Sequence, residues 1–76
     1  MSKTKKILHF EDNGQDFLRW HLDEDEQVIK SCPFQGFVWN GVHVIDYEEN
    51  KHPTIWDKNG EVVKLIHKVK KIEVID

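Results

Sequence analysis

Cys32, the five histidines His9, His21, His43, His52 and His67, the acidic run Asp23-Glu24-Asp25-Glu26 and the lysines near both ends are the residues of this 76-residue chain whose types bear on chemistry. Cys32 and His43 would form a nucleophile and its base if the fold joined them, yet no local signature presets that pair. No two histidines stand at H-x-x-x-H spacing and no C-x-x-C occurs, so no zinc ligand pair is set in advance. A calcium loop needs spaced oxygen ligands and a turning glycine, as in D-x-D-x-D-G, and the run 23–26 has neither. It reads as a solvated turn. Of the four glycines, three follow asparagine in turns and none belongs to a phosphate-cradling loop. The expectation is a non-enzymatic protein without a catalytic residue, metal or cofactor, in which Cys32, next to Pro33, is a small buried side chain at a strand end.

Charge is distributed unevenly. Lys3, Lys5 and Lys6 open the chain and Lys64, Lys68, Lys70 and Lys71 close it, while Glu11 to Glu26 holds seven acids against Arg19, within a net charge of −3. In a nearly closed meander the first and last strands become neighbours, which would gather the lysines. Lys64, Lys68, Lys70 and Lys71 are therefore candidate phosphate contacts for single-stranded nucleic acid. Interleaved aromatics would strengthen that reading, but Trp20, Trp39 and Trp56 lie mainly in other segments. The plainer reading is that lysines blunt edge strands against aggregation.

The elements that must hold these residues are strands. Alanine, the best helix former, is absent, while valine and isoleucine supply fifteen residues. Asn13-Gly14, Asn40-Gly41 and Asn59-Gly60 each separate apolar or alternating runs, the strongest short-range hairpin signal. Alternation predicts strands over 5–10, with Leu8 and Phe10 on one face, and over 17–22, with Leu18, Trp20 and Leu22 together. Further strands are expected at 27–32, 34–39, 42–47, 54–56, 61–67 and 69–75. A two-residue turn at Asn40-Gly41 sets Trp39 opposite Val42 and Phe37 opposite Val44 on the core side. The other side collects Phe34, Val38, His43, Ile45 and Tyr47. Asp57 to Gly60 reads as a type I turn with a glycine bulge, pairing Trp56 with Val62 and Ile55 with Val63.

The pattern DNGQDFLRWHLDEDEQVI followed by CPFQGFVWNG resembles short uncharacterised all-β proteins of gut-type bacteria. The resemblance spans most of the chain, implies a bacterial source and carries over no activity or site residue. With 38% hydrophobic residues and a length suited to one small core, residues 1–76 are expected to form a single domain. The expected fold is all-β, a small antiparallel meander curled into an SH3-like partial barrel, with an OB-like barrel as the alternative. One unpaired cysteine, no signal-peptide apolar region and no apolar run of about 20 residues set the expectation of a cytoplasmic protein without a membrane span. Its expected role is a protein-interaction module with a protein partner or a second copy of itself, through Phe34, Val38, Ile45 and Tyr47. Both faces of the predicted hairpins are too apolar for one thin core to cover. Weak single-stranded nucleic-acid binding through the terminal lysines is the alternative.

Overall fold

The computed structural model describes residues 3–32 and 41–75. Among these residues seven strands follow in order: β1 Lys6–Asp12, β2 Gln15–Leu22, β3 Val28–Cys32, β4 His43–Asp46, β5 Thr54–Trp56, β6 Val62–Lys64 and β7 Val69–Val74. No helix occurs among the described residues. The strands form two antiparallel sheets, β3-β2-β1-β7 and β4-β5-β6, neither of which closes on itself. The strand expected at 34–39 lies outside the described residues. The one expected at 61–67 is shorter, because the chain bends at 66–67 before resuming as β7.

Local chemistry accounts for the turns. Asp12 pairs with Gln15 across a two-residue loop in which Asn13 and Gly14 both take positive φ, 53° and 81°. Only asparagine, aspartate and glycine enter that region readily, and the primed turn it creates follows the right-handed twist of the flanking strands. The turn at 57–60 matches its expected form: Trp56 pairs with Val62, Ile55 with Val63, and Gly60 has φ of 82°.

Period-two alternation builds the core. Leu8 and Phe10 of β1 and Leu18, Trp20 and Leu22 of β2 point inward, where they meet Val28, Val42, Val44, Ile55 and Val69. Burying one such side chain contributes about 1.5–3 kcal/mol. Phe10 and Trp20 pack edge to face with ring centres 4.7 Å apart, an arrangement that adds about 0.5–1.5 kcal/mol beyond area.

Backbone bonds outside the two ladders join the sheets around this core. The Val28 amide donates to Val42 O at 2.8 Å and the Val44 amide to Glu26 O at 2.9 Å. At the other junction the Leu65 amide donates to Pro53 O at 2.9 Å and the Val69 amide to Lys51 O at 3.0 Å. Extra residues in β2, β3, β4 and β7 mark bulges, which bend strands and so allow the sheets to coil over the core. Val44 has Glu26 on one edge and Ile55 on the other, and Val42 bonds to Val28, so the register of β4 is set by β3 and β5. Phe37 and Trp39, the expected partners of Val44 and Val42, lie outside the described residues. The observed pairing buries Val42 and Val44 almost completely and satisfies backbone groups on both edges of Val44.

Candidate interaction surface

The solvent face of the second sheet carries a cross-strand row of His43, Trp56 and Val62, one residue from each strand. Trp56 is 51% exposed and Val62 63% exposed. The position of the indole follows from the turn beneath it: Nε1 donates to Gly60 O at 2.9 Å, which lays the ring over the end of the β5–β6 hairpin. That turn is held by Asp57, whose carboxylate accepts the amides of Asn59 and Glu61 at 2.9 Å each. Beside the row, β6 forms the edge of its sheet among the described residues, and Val62, Val63 and Lys64 are all exposed. Ile45, on the bulge of β4, and Ile66, at the bend after β6, extend the exposed apolar surface.

Of the four expected interface residues, Phe34 and Val38 lie outside the described residues. Ile45 is exposed as expected. Tyr47 is half-buried and packs against the core. The bulge at Ile45 inserts one residue, which breaks strict alternation and turns Tyr47 away from the face that His43 occupies.

Tyr47 instead closes a polar cluster that joins the two sheets. Lys6 of β1 donates to Tyr47 Oη at 2.6 Å and to Glu26 Oε1 at 3.2 Å, and its ammonium lies 5.2 Å from the centre of the Tyr47 ring. The hydrogen bond to Tyr47 outweighs desolvation and raises the Lys6 pKa above its ordinary value, while burial raises that of Tyr47. The ammonium stays charged and the phenol stays protonated at neutral pH. A general base needs the opposite shift at either group, so Lys6 and Tyr47 bind the sheets together.

The terminal lysines separate in the structure. β1 and β7 are neighbours, but they run antiparallel: the Ile75 amide donates to Lys5 O at one end, while His9 pairs with Lys71 further along. Lys5 and Lys71 therefore stand four steps apart, roughly 13 Å. Lys6 is held by Glu26, Lys70 by Asp16 at 3.1 Å, and Lys64 lies on the second sheet. Lys64, Lys68, Lys70 and Lys71 do not gather with Lys3, Lys5 and Lys6 into one patch.

Cys32 is partly buried and ends β3, whereas His43 bridges to Gln27 just before that strand begins, five residues or roughly 15 Å away along it. They make no nucleophile and base pair. No group of three metal-ligating side chains gathers among the described residues. The acidic run is a turn, as expected, but only Glu24 and Asp25 are solvated: Asp23 is its buried anchor, whose carboxylate accepts the amides of Asp25 at 2.9 Å and Gln27 at 3.0 Å. Among the described residues no helix is long and apolar enough to cross a membrane. Sequence reading found Trp56 and Val62 on one side of their hairpin. Which side is solvent was decided by the core that Ile55 enters. No family model matches the chain, and no curated protein or solved structure matches it.

Proposed function

We propose that the chain is a non-enzymatic protein-interaction module that pairs with a second copy of itself through the second sheet. The observation that carries this reading is the exposed apolar row ending on an edge strand, Trp56 and Val62 beside the edge of β6 that no other described strand pairs. An exposed strand edge offers unpaired amides and carbonyls to another chain, and charged residues usually guard it. On β6 only Lys64 does so. Antiparallel pairing of β6 with its copy, centred on Val62, continues the row as Trp56, Val62, then the partner's Val62 and the partner's Trp56. It sets Lys64 opposite a glycine, Gly60, so no like charges meet. Such an interface is isologous and closed, which limits assembly to a dimer.

The finer fold proposed for this module is the SH3-like partial barrel. Its support is the pair of junctions at 26–28 with 42–44 and at 50–53 with 65–69, which lead the strands around one core. The test of the function is solution mass by light scattering across a range of concentrations, with Val62→Lys as the variant. The expected result is a dimer for the native chain and a monomer for Val62→Lys, both with the same far-UV spectrum. A native chain that remains monomeric at about 10⁻³ M, where even a weak association of about −4 kcal/mol is half complete, overturns self-association.

A further inference from the structure

The solvent face of the first sheet carries a different pattern. On β2 and β1, Arg19 pairs with His9, and the same row continues to Cys32 on β3 and Lys71 on β7. The next row runs Lys30, His21, Ile7 and Glu73. Cross-strand pairing settles their orientation: Ile7, His9, Arg19 and His21 alternate with the buried Leu8, Leu18, Trp20 and Leu22, and bulges at Ile29 and Lys70 offset the buried Val28 and Val69 so that Lys30, Cys32, Lys71 and Glu73 pair on the same side. Arg19, Lys30 and Lys71 are exposed, and none of them has a salt bridge among the described residues. The one carboxylate in these two rows, Glu73, is bonded to His9 at 3.1 Å. An acidic chain of net charge −3 thus presents three unpaired cations on one face.

Beside Arg19 the face dips into a depression of about 280 Å³ lined by His9, Asp16, Phe17, Leu18 and Arg19. Phe17 is only half-buried and its ring is steadied by His67, with ring centres 4.5 Å apart. The depression therefore combines an aromatic wall, a guanidinium and a carboxylate. A planar base can stack on Phe17 beside Asp16, whose charge is compensated by Lys70 at 3.1 Å, and the neighbouring phosphates meet Arg19, Lys30 and Lys71. Strand spacing of about 4.8 Å places these cations on a surface that an extended single strand can follow.

We infer that the solvent face of β3-β2-β1-β7 is a binding surface for single-stranded nucleic acid, with Arg19, Lys30 and Lys71 on the phosphates and Phe17 under a base. The surface is distinct from the β6 edge and uses only Lys71 of the closing lysines. The electropositive setting is also felt by His21, whose pKa is lowered by burial first and then by Lys30 and Arg19.

The test is fluorescence anisotropy with a labelled single strand of about 10 nucleotides, inside the range of roughly 4 to 16 covered by small barrel folds. Three phosphate contacts predict that log affinity falls against log salt with a slope near about −2 between about 50 and 200 mM. Arg19→Glu and Lys30→Glu should each weaken binding about tenfold or more, with the far-UV spectrum unchanged, whereas Lys64→Glu on the other sheet should change it less than about twofold. An abasic strand of equal length should bind roughly fivefold more weakly, as should the intact strand to Phe17→Leu. Val62→Lys should bind like the native chain, which keeps this surface separable from the proposed dimer. No anisotropy change up to about 10⁻⁴ M protein, the weak end of ordinary nonspecific binding, overturns the inference. So does a loss with Lys64→Glu equal to that with Arg19→Glu, or equal affinity for the abasic strand.

Discussion

Two aspartates perform the same local task in separate turns. Asp23 accepts the amides two and four residues ahead, and Asp57 does likewise. In both turns the aspartate amide donates to the carbonyl four residues on, and the residue three along takes positive φ. That residue is Gly60 in one turn and Glu26 in the other, where the side chain reaches Lys6. The two differ in burial, since Asp23 is only 5% exposed. Removing an acceptor leaves buried amides unpaired at about 1–3 kcal/mol, whereas water replaces it at an exposed turn. Asp23→Ala should therefore lower the unfolding free energy in urea by about 1–3 kcal/mol, and Asp57→Ala by less than about 1 kcal/mol. Equal losses would show that burial of Asp23 contributes nothing.

At the level of elements, the β1–β2 hairpin depends on backbone conformations that few residues adopt. Gly14 has φ of 81° and open space where a Cβ would stand. Gly14→Ala meets no collision, so its cost is the left-handed backbone alone, about 1–2 kcal/mol. For a domain of this size each 1 kcal/mol lowers the thermal midpoint by roughly 4–8 °C. Scanning calorimetry should find a drop of about 4–16 °C, and an unchanged midpoint would mean that the turn is not held in the primed form. The second sheet offers the complementary case. Trp56 stands on its solvent face, so Trp56→Ala should shift stability by no more than about 0.5 kcal/mol, while abolishing dimer formation in the light-scattering test.

For the whole molecule, stability is small and its pH dependence is set where the sheets meet and on the face of the first sheet. A domain of this length is worth about 4–11 kcal/mol at roughly 0.05–0.15 kcal/mol per residue. Trp20→Ala empties the core at its largest buried side chain and should cost about 3–5 kcal/mol, enough to leave the chain largely unfolded at 37 °C by circular dichroism. Lys6 keeps its proton longer folded than unfolded, so its contribution is complete below its ordinary pKa of 10.5 and is lost as pH rises beyond it. Tyr47 acts in the same sense. Its folded pKa lies above the ordinary 10.0, the unfolded chain ionises first, and stability falls as pH passes 10.0. His21 acts at the acid side: its folded pKa lies below 6.5, so the unfolded chain protonates first and stability is lost as pH falls beneath that value. Thermal midpoints measured across pH should decline at both ends. Lys6→Met should flatten the alkaline limb and His21→Gln the acid one, and limbs unchanged in these variants would refute the assignments.

Strand content, turn positions and the inward faces of β1 and β2 were legible in the sequence because each depends on near neighbours. Leu8, Phe10, Leu18, Trp20 and Leu22 alternate with polar residues, and alternation with a two-residue period needs no knowledge of the partner strand. Asn13-Gly14 and Asp57 to Gly60 specify their turns through φ preferences and short hydrogen bonds within the turn. Partnership between distant strands is a different matter, since it is chosen by whichever pairing buries most apolar surface. Nothing local to Val42 and Val44 indicates that Glu26 to Val28 will lie beside them. One bulge at Ile45 sends Tyr47 inward to Lys6, and antiparallel pairing of β1 with β7 spreads the terminal lysines along the sheet. The gathering of Arg19, Lys30 and Lys71 on one face likewise exists only after three registers are set. The sequence by itself determined which segments become strands and how they turn. Tertiary structure decided which side chains share a surface, because strand direction and register arise from long-range burial that no single segment encodes.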